Sequence, residues 1–400
     1  MKIGLFTDQY YPQVSGVVTS IKMLYEGLEA LGHECIIFTL GDRKKLENDP
    51  EIAGKKIVCF KGMHYPFKAA RIYRFTFNFR RCVKIVKKYN LDMIHVHTEF
   101  SIAHIAERAA KKLNIPLVHT MHTAWIEYIC TLFPKTDKFM HEYWVKVMKK
   151  LFTGPVAKAS VIEILPTKKM LALLDDYGVP KNKETRIVPT GIELDRFTKP
   201  YPKEDLEALK KDCNIENKFV FAYIGRLASE KNIEFIIEGF AKTFKNYDDV
   251  VLLIVGGGDK LANLQNEVSK FGIEDKVVFT GMVDYDIVPL YYQISDVFLN
   301  ASRSETQGLT YIEALAAGLP NIVFKDDCVI DLIKEGYNGY FFESLTELEL
   351  KCKKIYENRN NLDEMKKNAR LSSEPYSKQQ FAQNILDVYN EAIAIKNGKK

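Results

Sequence analysis

Two glutamates, Glu305 and Glu313, stand eight residues apart in the run Glu305-Thr306-Gln307-Gly308-Leu309, which continues through Glu313 to Gly318 and Pro320. Eight residues is a little over two helical turns, so a helix from about Leu309 to Ala317 would hold Glu313 inside it and leave Glu305 on the approach loop. One acid can then face each half of a ligand. Gly308 removes side-chain bulk where the outward N–H groups of a helix start, with the helix dipole, favour an anion such as phosphate. In the loop Gly225-Arg226-Leu227-Ala228-Ser229-Glu230-Lys231-Asn232, a fork-shaped guanidinium and a point-charge ammonium five residues apart could clamp a diphosphate. The plainer alternative leaves Lys231 and Glu230 as solvated surface. The chemistry implied is recognition of a charged, hydroxyl-rich molecule.

Other positions are weaker alone. Gly16, in Tyr11-Pro12-Gln13-Val14-Ser15-Gly16, would either let backbone approach a phosphate after a first strand or merely shape the turn. Gly256, Gly257 and Gly258 form another loop that permits close backbone approach. His95, His97, His119 and His122 lie at strand ends without a convincing third and fourth metal ligand, so hydrogen bonding is expected over zinc. His122 could reach a ligand, and His95 reads as a satisfied core histidine. Of Asp284 and Asp286, one is expected to cap a helix beginning near Ile287 rather than to bind metal.

The elements that must position these groups alternate strand and helix. The first series includes Lys2–Thr7, 35–39, Met93–Val96 and Leu117–Thr120; the second includes Phe219–Ile224, Val250–Val255, 276–280, Val297–Asn300 and Asn321–Phe324. Such alternation predicts an α/β fold with two Rossmann-like domains, parallel sheets facing a central cleft. The expected domains are 1–190 and 204–375, joined by a Pro- and Gly-containing linker at 191–203, with a helix over 376–400 closing back toward the first. Four hundred residues, 46% of them hydrophobic, suffice for two cores. No apolar run is long enough to span a membrane, no signal-peptide pattern opens the chain, and seven cysteines without a Cys-x-x-Cys pair suit reduced thiols, so a cytoplasmic location is expected.

Charge is divided unevenly. Residues 1–190 carry a net +12 and the remainder −7, and 52–91 contain eleven cations and no acid. Phe79, Cys82, Val83 and Val86 at helical spacing, opposed by Arg80, Arg81, Lys84, Lys87 and Lys88, suggest a basic amphipathic helix lying on an anionic bilayer, with Lys68, Arg71 and Arg74 adding to the field. A core-packed helix with a solvated face would show the same spacing. Phe139, Tyr143, Trp144, Val147, Met148 and Leu151 with Lys146, Lys149 and Lys150 could extend that surface. No nucleic-acid motif accompanies the charge, so no nucleic-acid partner is expected.

Taken in order, these motifs resemble a family 4 retaining glycosyltransferase of the GT-B fold over nearly the whole chain. Ser15-Gly16 matches the family's N-terminal glycine loop, with a serine where many members have a first glycine, and Gly191 matches a Pro-x-Gly region in which Glu193 replaces the usual acid. The resemblance implies that Arg226 and Lys231 bind the diphosphate and that Gly308 and Leu309 offer it backbone N–H groups. It also implies that Glu305 binds donor-sugar hydroxyls, Glu313 the ribose, and that His122 is the active-site histidine. Gly16, Gly225, Gly257, Thr306 and Gln307 complete the implied donor-binding set, and His122, Arg226, Lys231 and Glu305 the catalytic one. The runs at 11–20, 95–100 and 305–314 are further similar to bacterial diacylglycerol glucosyltransferases. That similarity implies UDP-glucose as donor, a lipid acceptor, no obligatory cofactor or metal, and a peripheral position on the inner membrane face. Rival readings are another donor or another acceptor such as phosphatidylinositol or a polysaccharide, a nucleotide-sugar 2-epimerase, and a nonenzymatic lipid-binding protein.

Overall fold

The computed structural model describes residues 1–11, 13, 15–41, 52–64, 74–124 and 138–398. The chain folds as two compact units, Met1–Gly191 with Lys378–Lys400, and Ile192–Ser377. Each is built on a parallel sheet, as near-continuous apolar strands such as Val250–Val255 require, because both faces must be covered by helices.

In the first unit the strands are β1 (Lys2–Thr7), β2 (Glu34–Leu40), β3 (Ile57–Phe60), a small antiparallel pair β4 (Met63–His64) and β5 (Arg74–Phe75), then β6 (Met93–Val96), β7 (Leu117–Thr120), β8 (Ile162–Leu165) and β9 (Glu184–Ile187). The main sheet runs in the order β3-β2-β1-β6-β7-β8-β9. Ser15 caps the helix Gly16–Ala30, its hydroxyl accepting from the Val18 N–H at 3.3 Å. The C-terminal helix Lys378–Lys396 belongs to this unit: Phe381, Ile385, Val388, Tyr389 and Ala392 are buried in the core that also holds Leu24 and Leu28. Tyr389 fixes it further, its hydroxyl meeting Nδ1 of buried His95 at 2.7 Å while Nε2 of the same ring meets Thr120 Oγ1 at 2.7 Å. His95 is thus the satisfied core histidine that its strand position suggests.

The second unit contains β10 (Phe219–Ile224), β11 (Val250–Val255), β12 (Val277–Gly281), β13 (Val297–Asn300), β14 (Asn321–Phe324) and β15 (Gly339–Phe342), ordered β12-β11-β10-β13-β14-β15. The stretch expected as a linker is packed structure here: Ile192 bridges Ser377, and Phe197, in the helix Leu194–Thr198, is buried against Tyr292.

Two further expectations are corrected. The helix Phe79–Val86 turns its apolar face inward: Cys82, Val83 and Val86 are buried in the core with Ile102, Ala103 and Ala106 of the helix Ser101–Leu113, so that face has no bilayer to meet. Arg80, Arg81, Lys84, Lys87 and Lys88 remain on the exposed side, Arg74 is half-buried, and Lys68 and Arg71 lie outside the described residues. Neither Asp284 nor Asp286 caps the helix Val288–Gln293; Asp284 Oδ1 accepts instead from the Asp286 N–H at 3.0 Å, an Asx turn, and Asp286 pairs with Arg196. Among the described residues no helix is long and apolar enough to cross a membrane, and Cys35, Cys82, Cys213, Cys328 and Cys352 are buried free thiols.

Tyr389→Phe would leave His95 Nδ1 buried without its partner, at a cost of about 1–3 kcal/mol. Urea denaturation of the full chain is expected to show that loss, whereas an unchanged midpoint would mean that the C-terminal helix does not dock as described.

Candidate active site

In the second unit β10 is paired with β11 on one side and β13 on the other, so the connections after β10 and β13 leave toward opposite faces of the sheet. That divergence opens a crevice at the carboxyl ends of the two strands, the place where open parallel sheets bind ligands. The sequence-predicted residues converge there. Lys231, in a one-turn helix Ser229–Lys231 after β10, forms an ion pair with Glu305, on the loop after β13. The Ser302 hydroxyl donates to the Glu230 carbonyl at 3.1 Å, tying the same two loops, and Ser302 N–H is held by Asn300 Oδ1 at 2.8 Å. Arg226, whose side chain is 60% exposed, reaches Glu230. Each cation of the expected diphosphate clamp is therefore held by a carboxylate at the strand edge.

The helix following Glu305 runs from Leu309 to Ala317, as the spacing predicts. Gly308 is its N-cap at φ 74°, and a Cβ there would lie 2.2 Å from the Tyr311 ring, so glycine is required both by conformation and by space. By helix geometry the N–H groups of Leu309 and Thr310 have no acceptor within the helix, whereas the Tyr311 N–H donates to the Gly308 carbonyl at 3.2 Å. Thr306 is half-buried and Gln307 buried on the same loop. The glycine run after β11 serves backbone contact: a Cβ on Gly256 would stand 2.0 Å from the Gly225 carbonyl, and one on Gly258 2.1 Å from that of Leu227. Gly225 N–H donates to Val255 O, and the Gly257 carbonyl accepts from Leu227 N–H, both at 2.9 Å, so Gly225 and Gly257 hold the two loops against each other.

Glu313 is 6% exposed. Tyr292 donates its hydroxyl to Glu313 Oε2 at 2.9 Å, and desolvation pushes the carboxyl up to about 7, opposed by that hydrogen bond and by the charge of Arg196. Arg196 is oriented by its stack on Tyr285, 4.2 Å from the ring centroid, and by Asp286 at 2.9 Å. Neither Tyr292 nor Arg196 belongs to a motif that the sequence marks; the one signal for Tyr292 is its place in a short helix just before β13.

The first unit repeats the topology. β1 lies between β2 and β6, so the loops after β1 and β6 part in the same manner. Asp8 bridges them: its N–H donates to Thr98 Oγ1 and its Oδ2 accepts from that hydroxyl, both at 2.7 Å, while Oδ1 accepts from Ile102 N–H at 3.1 Å. It thereby caps from outside a helix whose own N-cap, Phe100, has no capping side chain. Burial, more than these bonds offset, pushes Asp8 up to about 7. His122 follows β7, and its Nε2 lies 3.0 Å from Nδ1 of His97, which follows β6. Desolvation and the neighbouring His119 push His122 down to about 3, so it is a neutral imidazole. His119 itself is fully buried; desolvation lowers it, but Glu163 at 2.8 Å and Glu99 at 3.6 Å together raise it to about 10. Gly16 opens its helix from an exposed position where an added Cβ would meet nothing within 4 Å. Among the described residues no group of His, Cys, Asp and Glu is arranged to hold a metal ion.

Two parallel-sheet units of this topology are the architecture of the GT-B class of glycosyltransferase. The family models agree: residues 14–196 match Glycosyltransferase Family 4 and residues 205–372 match Glycosyl transferases group 1. The chain is 37% identical over its whole length, and 99% of the relative's, to alpha-monoglucosyldiacylglycerol synthase of Acholeplasma laidlawii. It is 36% identical over 86% of its length, and 75% of the relative's, to the Streptococcus pneumoniae protein of that name. Among solved structures, Anabaena HepE in complex with UDP and glucose superposes with a TM-score of 0.75 at 17% identity, covering 98% of this chain and 100% of that one. The chain belongs to glycosyltransferase family 4 and is a hexosyltransferase.

Asp8 and Glu313 both hold a proton in the folded chain that the unfolded chain releases above its ordinary value of 3.8 or 4.5. Their contribution to folding stability should therefore fall as pH rises from those values through about 7 and then level off. Glu313→Gln removes one of the two contributions, so denaturation at about pH 5 and about pH 8 should show the variant gaining on the wild type at the higher pH. An equal difference at both would mean that Glu313 is not protonated in the fold. Gly308→Ala is expected to lose on the order of 1–3 kcal/mol, read by the same denaturation, through its left-handed backbone and the Tyr311 clash.

Proposed function

We propose that the protein transfers glucose from UDP-glucose to the free hydroxyl of 1,2-diacylglycerol with retention at the anomeric carbon. The observation that carries this reading is the end-to-end 37% identity to a protein named for that product. UDP is a good leaving group, so the main demand is stabilisation of the charge that develops on it. Arg226 and Lys231 supply that charge, each exchanging its glutamate for a phosphate oxygen, and the N–H groups at Gly308 and Leu309 add the helix start. The bond from the anomeric carbon to UDP breaks, the bond to the acceptor oxygen forms on the same face, and the acceptor proton passes to a phosphate oxygen of the departing UDP. Once Lys231 turns to phosphate, Glu305 accepts from hydroxyls of the sugar, a role that suits it better than covalent attack. Glu313, buried beside Tyr292, takes the ribose hydroxyls, and Thr306, Gln307, Gly225 and Gly257 shape the rim. Gly16 and His122, on the first unit, belong to the donor-binding and catalytic sets that the family resemblance implies. The open space around Gly16 supports this assignment, since neither packing nor backbone conformation asks for glycine there.

The acceptor is a lipid, and the protein works as a peripheral enzyme on the anionic inner face of the membrane. Exposed Arg80, Arg81, Lys84, Lys87 and Lys88, with Phe77 at 75% exposure beside them, support contact through charge, each cation near the surface contributing on the order of 1 kcal/mol. Arg74, Lys68 and Arg71 belong to the same basic stretch. Phe139 and Tyr143, exposed on the helix Lys138–Leu151 with Lys146 and Lys150, carry the surface further.

A panel of labelled sugar nucleotides presented with diacylglycerol in anionic vesicles, with products read by mass and linkage, tests the assignment. An α-linked monoglucosyl lipid made from UDP-glucose is expected; a β-linked lipid, or a sugar nucleotide epimerised without acceptor, would sink it. Arg226→Ala should lower kcat/KM by about 10²–10³ with the fold intact. Reversing the five exposed cations should release the protein from anionic vesicles, and retained binding would remove the basic face from the proposal.

A further inference from the structure

A carboxyl presents two equivalent oxygens until a neighbour takes one of them. At Glu313 that neighbour is Tyr292, whose hydroxyl donates to Oε2 at 2.9 Å and lies farther, at 3.4 Å, from the Thr310 carbonyl. The phenol has no room to swing away: Tyr292 is fully buried, its ring edge-on to Phe197 at 5.7 Å and tilted against Phe298 at 6.1 Å. It also keeps the proton it donates, because burial and the facing Glu313 push the hydroxyl well above the ordinary tyrosine value. Among the described residues Tyr292 is the one hydrogen-bond donor to Glu313. Arg196 contributes charge without a bond to the acid, its guanidinium being held by Asp286 at 2.9 Å and the Tyr285 carbonyl at 2.6 Å.

The terminal torsion of a glutamate is broad, so a carboxyl held at neither oxygen turns freely and meets a ligand from no fixed direction. Held at Oε2, Glu313 offers Oε1 alone, in one orientation. We propose that Tyr292 is a positioning residue that makes the site selective for a ribonucleotide: by occupying Oε2 of Glu313 it aims Oε1 at the ribose hydroxyls. This role rests on the reading of Glu313 as the ribose ligand. A nucleotide without those hydroxyls leaves a buried, ionised oxygen unpaired, and a site built to bond a hydroxyl rejects the analogue that lacks it. Without the Tyr292 hydroxyl the carboxyl is free to turn, and the difference between the two nucleotides shrinks. A tyrosine that only filled space would, when altered, weaken both nucleotides alike.

Equilibrium binding of UDP and of 2′,3′-dideoxy-UDP to the full chain reads this selectivity, at about pH 8, above the value of about 7 to which burial pushes the Glu313 carboxyl. The wild type is expected to prefer UDP by about 10–100-fold. Tyr292→Phe should weaken UDP about tenfold and leave dideoxy-UDP within about twofold, so that the preference narrows about tenfold. In turnover the same variant should raise KM for UDP-glucose about tenfold with kcat within about threefold, because the ribose contact is the same in ground and transition states. A variant that weakens both nucleotides equally, or neither, would overturn the proposal. Should Tyr292→Phe not fold, Glu313→Asp draws the carboxyl back by one methylene from an unaltered Tyr292. A narrowed preference is expected there too, and a preference kept at the wild-type level would overturn the positioning role. A wild type that binds the two nucleotides alike, or binds neither, would overturn the ribose reading of Glu313 itself, and the role of Tyr292 with it.

Discussion

Parallel pairing of the first strand with a neighbour on each side is the constraint from which both sites follow. A parallel neighbour must be reached by a crossover, and right-handed crossovers to opposite sides carry the loops away from each other. In the second unit this happens between β10 and β13, and the residues that line the divergence are Arg226, Lys231, Glu305 and Gly308. In the first unit it happens between β1 and β6, and the lining includes Asp8, His97 and Thr98. The apolar strands determine where the loops part; the polar residues only occupy an edge that backbone topology has already opened.

Holding those edges in shape requires polar groups to be buried, and the protein handles them in two ways. Asp8 and Glu313 are buried carboxyls with too few hydrogen-bond donors to offset their desolvation, and each resolves that cost by keeping its proton to about neutral pH. His119 is the opposite case, a buried cation held between Glu163 and Glu99, with Glu163 further fixed by the Ser160 hydroxyl at 2.7 Å. Its charge is local, and the rings around it stay neutral chiefly because burial desolvates them, with that charge adding to the effect. The first unit thus surrounds one fixed imidazolium with uncharged imidazoles.

Most of the fold could be read from the chain because apolar strands and helix starts write themselves locally. Phe219–Ile224, Val250–Val255 and the helix at Leu309 match their sequence patterns residue for residue, as continuous apolar runs and a glycine before a periodic segment should. Within the second unit, a shared donor site for Lys231 and Glu305 is what the family resemblance implies, and the structure pairs the two side chains. The errors arose where one pattern has two physical realisations. The spacing of Phe79, Cys82, Val83 and Val86 describes an amphipathic helix equally well whether its apolar side meets lipid or Ile102 and Ala106, and only the tertiary partner decides. Asp284 before a helix could cap it or close an Asx turn, and the backbone chose the turn. Asp8, Tyr292 and Arg196 were invisible for a different reason: they act through residues about 20 to 120 positions away, such as Thr98 and Glu313, and nothing in their own neighbourhood signals it.

The helix Lys378–Lys396 gives the chain an unusual order of completion. The first unit is discontinuous, interrupted by the whole of Ile192–Ser377, and its core includes Phe381, Ile385, Val388 and Tyr389 beside Leu24 and Leu28. During synthesis from the N-terminus, the interrupting unit leaves the ribosome entire and can fold while its host is still missing one wall. The apolar face of the helix Gly16–Ala30 therefore waits uncovered through the translation of more than half the protein. The part of the molecule made first is the part finished last, and that interval is when this chain is most exposed to aggregation and to the help of chaperones.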